Sequence, residues 1–364
     1  MTAAGGLHSE AHGGVAPGYE DVREAFAGVL EEQRGTGAAV AVWHEGRWIV
    51  DLWGGTAAAD GSRLWVRDSI VQPYSVTKPF AAMCALVLAD RGRLDIDAPM
   101  QRYWPEFIAP ATVRQVLSHQ AGVVALDAVV ETDAFYDWDR MCALLAAQVP
   151  AWEPGTAHGE SALFYGHLVG EVVRRVDGRS LGRFLSDEIC GPQGLDFMVG
   201  LTTEEQRRAV DLTCFEGLAA SSDLPLYRRA SGNPPGTRDP AVVNSAAWRA
   251  AEIPAINGHG TARAVAGLYA ALLRGEVLSA ALLHEAVSPQ CSGMDAVFGH
   301  ENAWGLGFSV DDEGFGMGGM GGSFGGACVR GGYAIGFVTG TMGTHEREER
   351  VENALRGCIG LPPL

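Results

Sequence analysis

Pro73-Tyr74-Ser75-Val76-Thr77-Lys78-Pro79-Phe80 is the stretch on which the reading of this chain turns. It sets a hydroxyl three residues before an amine, at the head of a helix-patterned apolar run over residues 75–91 that Arg91-Gly92-Arg93 ends. Residues three apart share one helix face, so Lys78 can lie beside the Ser75 oxygen. A desolvated lysine that has lost its proton can accept one from a serine. The same residues also have a plainer reading, with Ser75 as a helix N-cap and Lys78 as a solvated first-turn residue. The pattern is short, and its surroundings decide between the two.

The whole chain narrows the choice. Its 364 residues are 47% hydrophobic and 20% charged, which suits one large globular domain or two small ones. The net charge of -17 and pI near 5.0 argue against nucleic acid or an anionic membrane surface as partner. No run approaches the apolar length of a membrane span. Residues 1–16 are small and glycine-rich, lack the basic and apolar parts of a signal peptide, and read as a disordered tail. The seven cysteines are scattered, and no C-x-x-C or Cys/His cluster has metal-ligand spacing. Together these features point to a reduced, cytoplasmic protein without a metal or cofactor.

Apolar spacing predicts helices over 19–34, 75–91, 113–118, 137–148 and 163–177. Two apolar runs, Gly37 to Trp43 and Arg47 to Leu52, flank His44-Glu45-Gly46 and read as a β-hairpin, half-buried by Trp43, Trp48 and Trp53. Residues 200–256 are polar and irregular around Gly232-Asn233-Pro234-Pro235-Gly236, as a long surface excursion at a binding site would be. Thr261 to Arg274 returns to helix. Gly305 to Val310, Gly326 to Val329 and Tyr333 to Thr341 read as strands, and Glu346 to Gly357 as a closing helix. Strands at both ends and helices between them predict an α+β fold. Its antiparallel sheet is built from the two chain ends, and a helical part lies in the middle. The expected domain is 17–364, with an α/β part about 17–74 and 259–364 and a helical part about 75–258. Ser75 falls at their junction.

Further stretches follow in order: Leu94-Asp95-Ile96-Asp97-Ala98-Pro99, Tyr103-Trp104-Pro105, and Val113-Arg114-Gln115-Val116-Leu117-Ser118-His119-Gln120-Ala121-Gly122. Then come Gly166-His167-Leu168-Val169-Gly170-Glu171, Asn257-Gly258-His259-Gly260-Thr261 and Gly319-Met320-Gly321-Gly322-Ser323. With the S-x-x-K pattern of residues 75–78, they resemble the class C β-lactamase-like serine hydrolases over roughly residues 20–345. The resemblance is closest to the carboxylesterase and acyltransferase branch. It implies a β-lactamase/transpeptidase-like fold and an acyl-enzyme. Ser75 would attack an ester, thioester or amide carbonyl, Lys78 would help remove the serine proton, and the N–H groups of Ser75 and Met320 would stabilise the oxyanion. Tyr74, His158, Met317, Gly318 and Gly319 would line the substrate cleft. The implied partners are a small-molecule acyl donor and, for transfer, a small amine or alcohol.

Two departures from that family pattern stand out. The family places a tyrosine six residues before the glycine matched by Gly166, as a phenolic proton carrier. Here that position is Glu160, bracketed by Pro154-Gly155-Thr156 and Gly166. A carboxylate there can act as a base, or pair with Lys78 and keep it charged. On the strand lining the cleft, relatives carry Lys, His or Trp where this chain has Met317, which donates no hydrogen bond and bears no charge. His119 and His259 read as structural residues that tie loops to the core. Three functions follow: hydrolysis of an ester or amide through a Ser75 acyl-enzyme, dedicated acyl transfer with poor hydrolysis, or a non-catalytic binding protein that keeps the cleft.

Overall fold

Strands from the two ends of the chain meet in one sheet. The computed structural model describes residues 10–33, 35–218 and 223–364. The strands are β1 (His12–Val15), β2 (Ala38–His44), β3 (Arg47–Gly54), β4 (Phe197–Met198), β5 (His259–Gly260), β6 (Cys291–Met294), β7 (Glu301–Trp304), β8 (Ser309–Val310), β9 (Gly314–Gly319), β10 (Ser323–Cys328) and β11 (Tyr333–Thr339). Nine of them form an antiparallel sheet in the order β1-β3-β2-β11-β10-β9-β8-β7-β6. The seam between the chain ends is β2 with β11, where Val40 stands opposite Phe337. β4 and β5 make a separate two-stranded ladder.

Period-two alternation splits the sheet residues between two layers. Val40, Val42, Ile335 and Phe337 pack with the helices Glu20–Glu32 and Glu346–Cys358. Ala39, Ala41, Ala334 and Val338 belong to the other core. Small residues on that face let the helix Ala262–Leu273 lie close against β2, β10 and β11. In the same core runs the helix Thr77–Asp90, buried at every position from Thr77 to Leu88. A helix apolar all round sits in the middle of a core. The helices Tyr165–Asp177 and Leu181–Leu185 pack against it. The α+β class with an antiparallel sheet and flanking helices is therefore the observed one.

Four details differ from expectation. Of the stretch read as a tail, residues 1–9 lie outside the described residues, but His12–Val15 forms the edge strand β1 against β3. Its two glycines hide the strand signal, and the Arg23 guanidinium holds it through the Ala11 and Gly13 carbonyls. The excursion over 200–256 contains short helices, among them Pro225–Gly232, Pro240–Val243 and Ala246–Ala250. Within Gly305–Val310 only Ser309 and Val310 join the ladder, because the chain folds back on itself with Gly305 N–H donating to the Phe308 carbonyl at 2.8 Å. The polar strands β6 and β7 carry no apolar alternation that would have announced them.

Candidate active site

The turn that presents Ser75 is held from both sides. Tyr74, Ser75 and Val76 form one 3-10 turn leading into the Thr77–Asp90 helix. Tyr74 has φ 48°, a left-handed conformation that costs a non-glycine residue energy unless its surroundings impose it. The imposing contact is at the far end of its side chain, where the buried hydroxyl donates to the Thr237 carbonyl at 2.8 Å. Burial also pushes the Tyr74 phenol pKa upward. On the other side, a Cβ at Gly319 would lie 2.1 Å from the Pro73 carbonyl oxygen. Only glycine lets the end of β9 come this close to the turn that carries Ser75, and Met320 follows directly.

Lys78 is fully buried. Its Nζ lies 2.7 Å from Ser75 Oγ, 2.8 Å from Glu160 Oε1 and 3.4 Å from the Ala255 carbonyl oxygen. Ser75 Oγ is itself 3.3 Å from Glu160 Oε1, so the three groups close a triangle. Burial pulls the Lys78 pKa below the ordinary lysine value, and the Glu160 charge with its hydrogen bond pulls part of the way back. The Ala255 carbonyl reaches the lysine because a glycine stands at 166: a Cβ there would meet the Pro254 carbonyl carbon at 2.2 Å.

Glu160 is fixed by its backbone neighbours. Gly159 N–H donates to the His119 carbonyl at 3.0 Å, and Ser161 N–H to His119 Nδ1 at 3.2 Å. Between them, Glu160 N–H donates to Asp295 Oδ2 at 2.9 Å. Asp295 is fully buried and also accepts from the N–H groups of Val297 and Phe298, each at 2.8 Å, and from Asn302 Nδ2 at 3.1 Å. A carboxylate with this many donors is satisfied without a cation. His119 holds the loop as expected, and burial lowers its pKa to about 3. His259 has a matching structural place, with Nδ1 2.8 Å from the Asn257 carbonyl oxygen.

The cleft in front of Ser75 has a volume of about 660 Å³. Of the residues expected there, Tyr74, Ser75, Glu160, Gly318, Gly319 and Met320 line it. His158 does not; it is buried with Nε2 2.9 Å from Asn302 Oδ1, behind the loop that carries Asp295. Met317 does not either. It is buried, and it lines a second cavity of about 380 Å³ beside the helix Glu346–Cys358. Sequence reasoning missed Asp295, Arg238 and Tyr227. Arg238 and Tyr227 belong to the 200–256 excursion, whose length was the available signal. Asp295 had only a local one, an aspartate two residues ahead of the N–H it accepts. Among the described residues no cluster of three or more His, Cys, Asp or Glu is placed to hold a metal ion, and no helix is long and apolar enough to cross a membrane.

A half-buried serine beside a buried lysine at the head of a core helix, set against the glycine-rich inner strand of an antiparallel sheet, defines the β-lactamase/transpeptidase-like fold of the class C-like serine hydrolases. The chain belongs to the β-lactamase family, whose profile matches residues 22–357. It is 34% identical over 281 residues to the esterase/beta-lactamase LipL of Mycobacterium tuberculosis, a match covering 72% of this chain and 64% of LipL. The chain thus spans less than two thirds of that relative's length. Among solved structures it resembles a family VIII carboxylesterase at 38% identity and TM-score 0.88. It also resembles a penicillin-binding protein homolog from Caulobacter crescentus at 33% identity and TM-score 0.89. Each of these two likenesses covers 96% of this chain and 100% of the other.

Proposed function

We propose that this protein is a serine acyl-transfer enzyme in which the Lys78–Glu160 pair moves protons for Ser75. The observation that carries the reading is the triangle itself: Ser75 Oγ stands 2.7 Å from Lys78 Nζ and 3.3 Å from Glu160 Oε1. The names of its relatives, esterase and carboxylesterase, support an ester as acyl donor. As Ser75 Oγ attacks the ester carbonyl, its proton passes to the pair. Glu160 Oε1 is the acceptor within reach, and the Lys78 ammonium steadies the forming alkoxide. The N–H groups of Ser75 and Met320 take the charge that develops on the carbonyl oxygen. When the tetrahedral intermediate collapses, the pair returns the proton to the departing alkoxide, leaving the acyl group on Ser75. An acceptor, either water or a small alcohol or amine, then gives up its proton to the same pair and attacks the acyl carbon, and the pair passes that proton to Ser75 Oγ as the acyl–oxygen bond breaks.

Hydrolysis and transfer differ only in that acceptor. An activated ester incubated with and without an amine or alcohol separates them. Product that forms at equal rates in both cases marks hydrolysis, and product that needs the acceptor marks a transacylase. Failure of Ser75 to react with ester or fluorophosphonate at all overturns the enzymatic reading in favour of a binding protein.

A further inference from the structure

The cleft holds a charge that this proton chemistry leaves unused. Arg238 lines it together with Ser75. Its Nη2 donates to the Tyr227 hydroxyl oxygen at 2.6 Å. Tyr227 is 7% exposed and set edge-on to Phe298, their ring centroids 5.3 Å apart. The preceding residue, Thr237, is the one whose carbonyl receives the Tyr74 hydroxyl. The guanidinium is therefore oriented by a buried phenol and tied through one backbone step to the turn that presents the nucleophile.

Its neighbours are neutralised and it is not. Arg228 and Arg229 pair with Asp223 and Asp127. Asp239, next in sequence, spends its carboxylate on the Ala241 N–H at 2.9 Å. The carboxylate that lines the cleft, Glu160, is held by Lys78 at 2.8 Å. Among the described residues no acidic side chain pairs with Arg238. An arginine fork with free donors matches the two oxygens of a carboxylate. It acts more strongly in a concave, partly apolar site than in open water. On a protein of net charge -17 such a cation reverses the local sign and selects for anions where the overall charge would repel them.

We propose that Arg238 recognises a carboxylate on the substrate, so that the preferred donor is an ester that also carries a free carboxylate, such as the half-ester of a dicarboxylic acid. The inference rests on the acyl-enzyme reading of Ser75. It places charge recognition on the 223–244 segment and not on β9, where Met317 lies outside the cleft.

Two matched pairs of substrates test it: 4-nitrophenyl hydrogen adipate against its methyl ester, and 3-acetoxybenzoate against methyl 3-acetoxybenzoate. They put the carboxylate on the acyl side and on the leaving side respectively. The wild-type protein should favour the charged member of at least one pair by about tenfold in kcat/KM, mainly through KM, as a charge-assisted contact predicts. Salt should weaken that preference. Arg238→Gln should bring the ratio close to one, and Arg238→Lys should keep part of it. Equal turnover of charged and uncharged esters by the wild type, or a preference that survives in Arg238→Gln, overturns the inference while leaving the acyl-enzyme intact. No turnover of any of the four, with Ser75 unmodified, overturns the reading beneath it.

Discussion

Replacing Glu160 with Gln keeps the side chain's shape and removes its charge. At the 2.8 Å separation from Lys78, and with an effective dielectric near 20, the lost attraction is about 6 kcal/mol. A buried charge stranded by loss of its partner costs about 3–5 kcal/mol. Lys78 can avoid most of that cost by releasing its proton, since burial already lowers its pKa. The Gln variant should therefore fold, with a modestly lower melting temperature. Its catalysis should suffer more. A positioned proton carrier contributes about 10²–10⁴ in rate, or about 3–5 kcal/mol of barrier. The assay is kcat/KM for an activated acetate ester from about pH 5 to 10, with circular dichroism to confirm the fold. A Gln variant that matches the wild type at every pH refutes the reasoning. It would mean that Lys78 alone manages the serine proton and that Glu160 is only its counter-ion.

Three further outcomes follow from the same geometry. Asp295→Asn should loosen the Glu160 backbone, lowering kcat more than it raises KM and displacing the pH profile, where a purely structural role would lower the melting temperature alone. Gly319→Ala places a Cβ 2.1 Å from the Pro73 carbonyl oxygen; it should cost about 1–3 kcal/mol of stability and about 10² in kcat by displacing the Met320 N–H proposed for the oxyanion. His119, His167 and His259 are buried with pKa values lowered to about 3. The unfolded chain binds these protons below about pH 6.5 while the folded one does not, so stability must fall as pH drops from about 6.5 toward 3. The slope from three histidines approaches about 4 kcal/mol per pH unit. Urea denaturation at a series of pH values measures it, and a flat dependence between about pH 6 and 4 would contradict the buried neutral assignment.

What could be read from the sequence was local or periodic. Ser75 and Lys78 were legible because three residues along a helix fix one face, and the hairpin β2–β3 because its apolar runs flank a turn. Glu160 was found by counting between glycines, and one of those, Gly166, proves to be a residue whose bare Cα lets the Ala255 carbonyl reach Lys78. The rest depended on contacts far apart in sequence. Asp295 stands 135 residues from the Glu160 N–H it accepts. Met317 was assigned to the cleft from its motif position. The structure puts Gly318 and Gly319 on the cleft and buries Met317 beside the second cavity, which motif position alone does not show. His158 was expected to line the cleft, but its ring turns to Asn302. The edge strand β1 was hidden by its own glycines.

The claim on which the account stands is a covalent acyl group on Ser75. Intact-mass spectrometry after rapid mixing with an activated ester, followed by peptide mapping, tests it directly. The account predicts one added acyl mass on the wild-type chain, located on the peptide that contains Ser75 and absent from Ser75→Ala. Ester turnover that proceeds undiminished in Ser75→Ala, or an acyl group that maps to another residue, would contradict it.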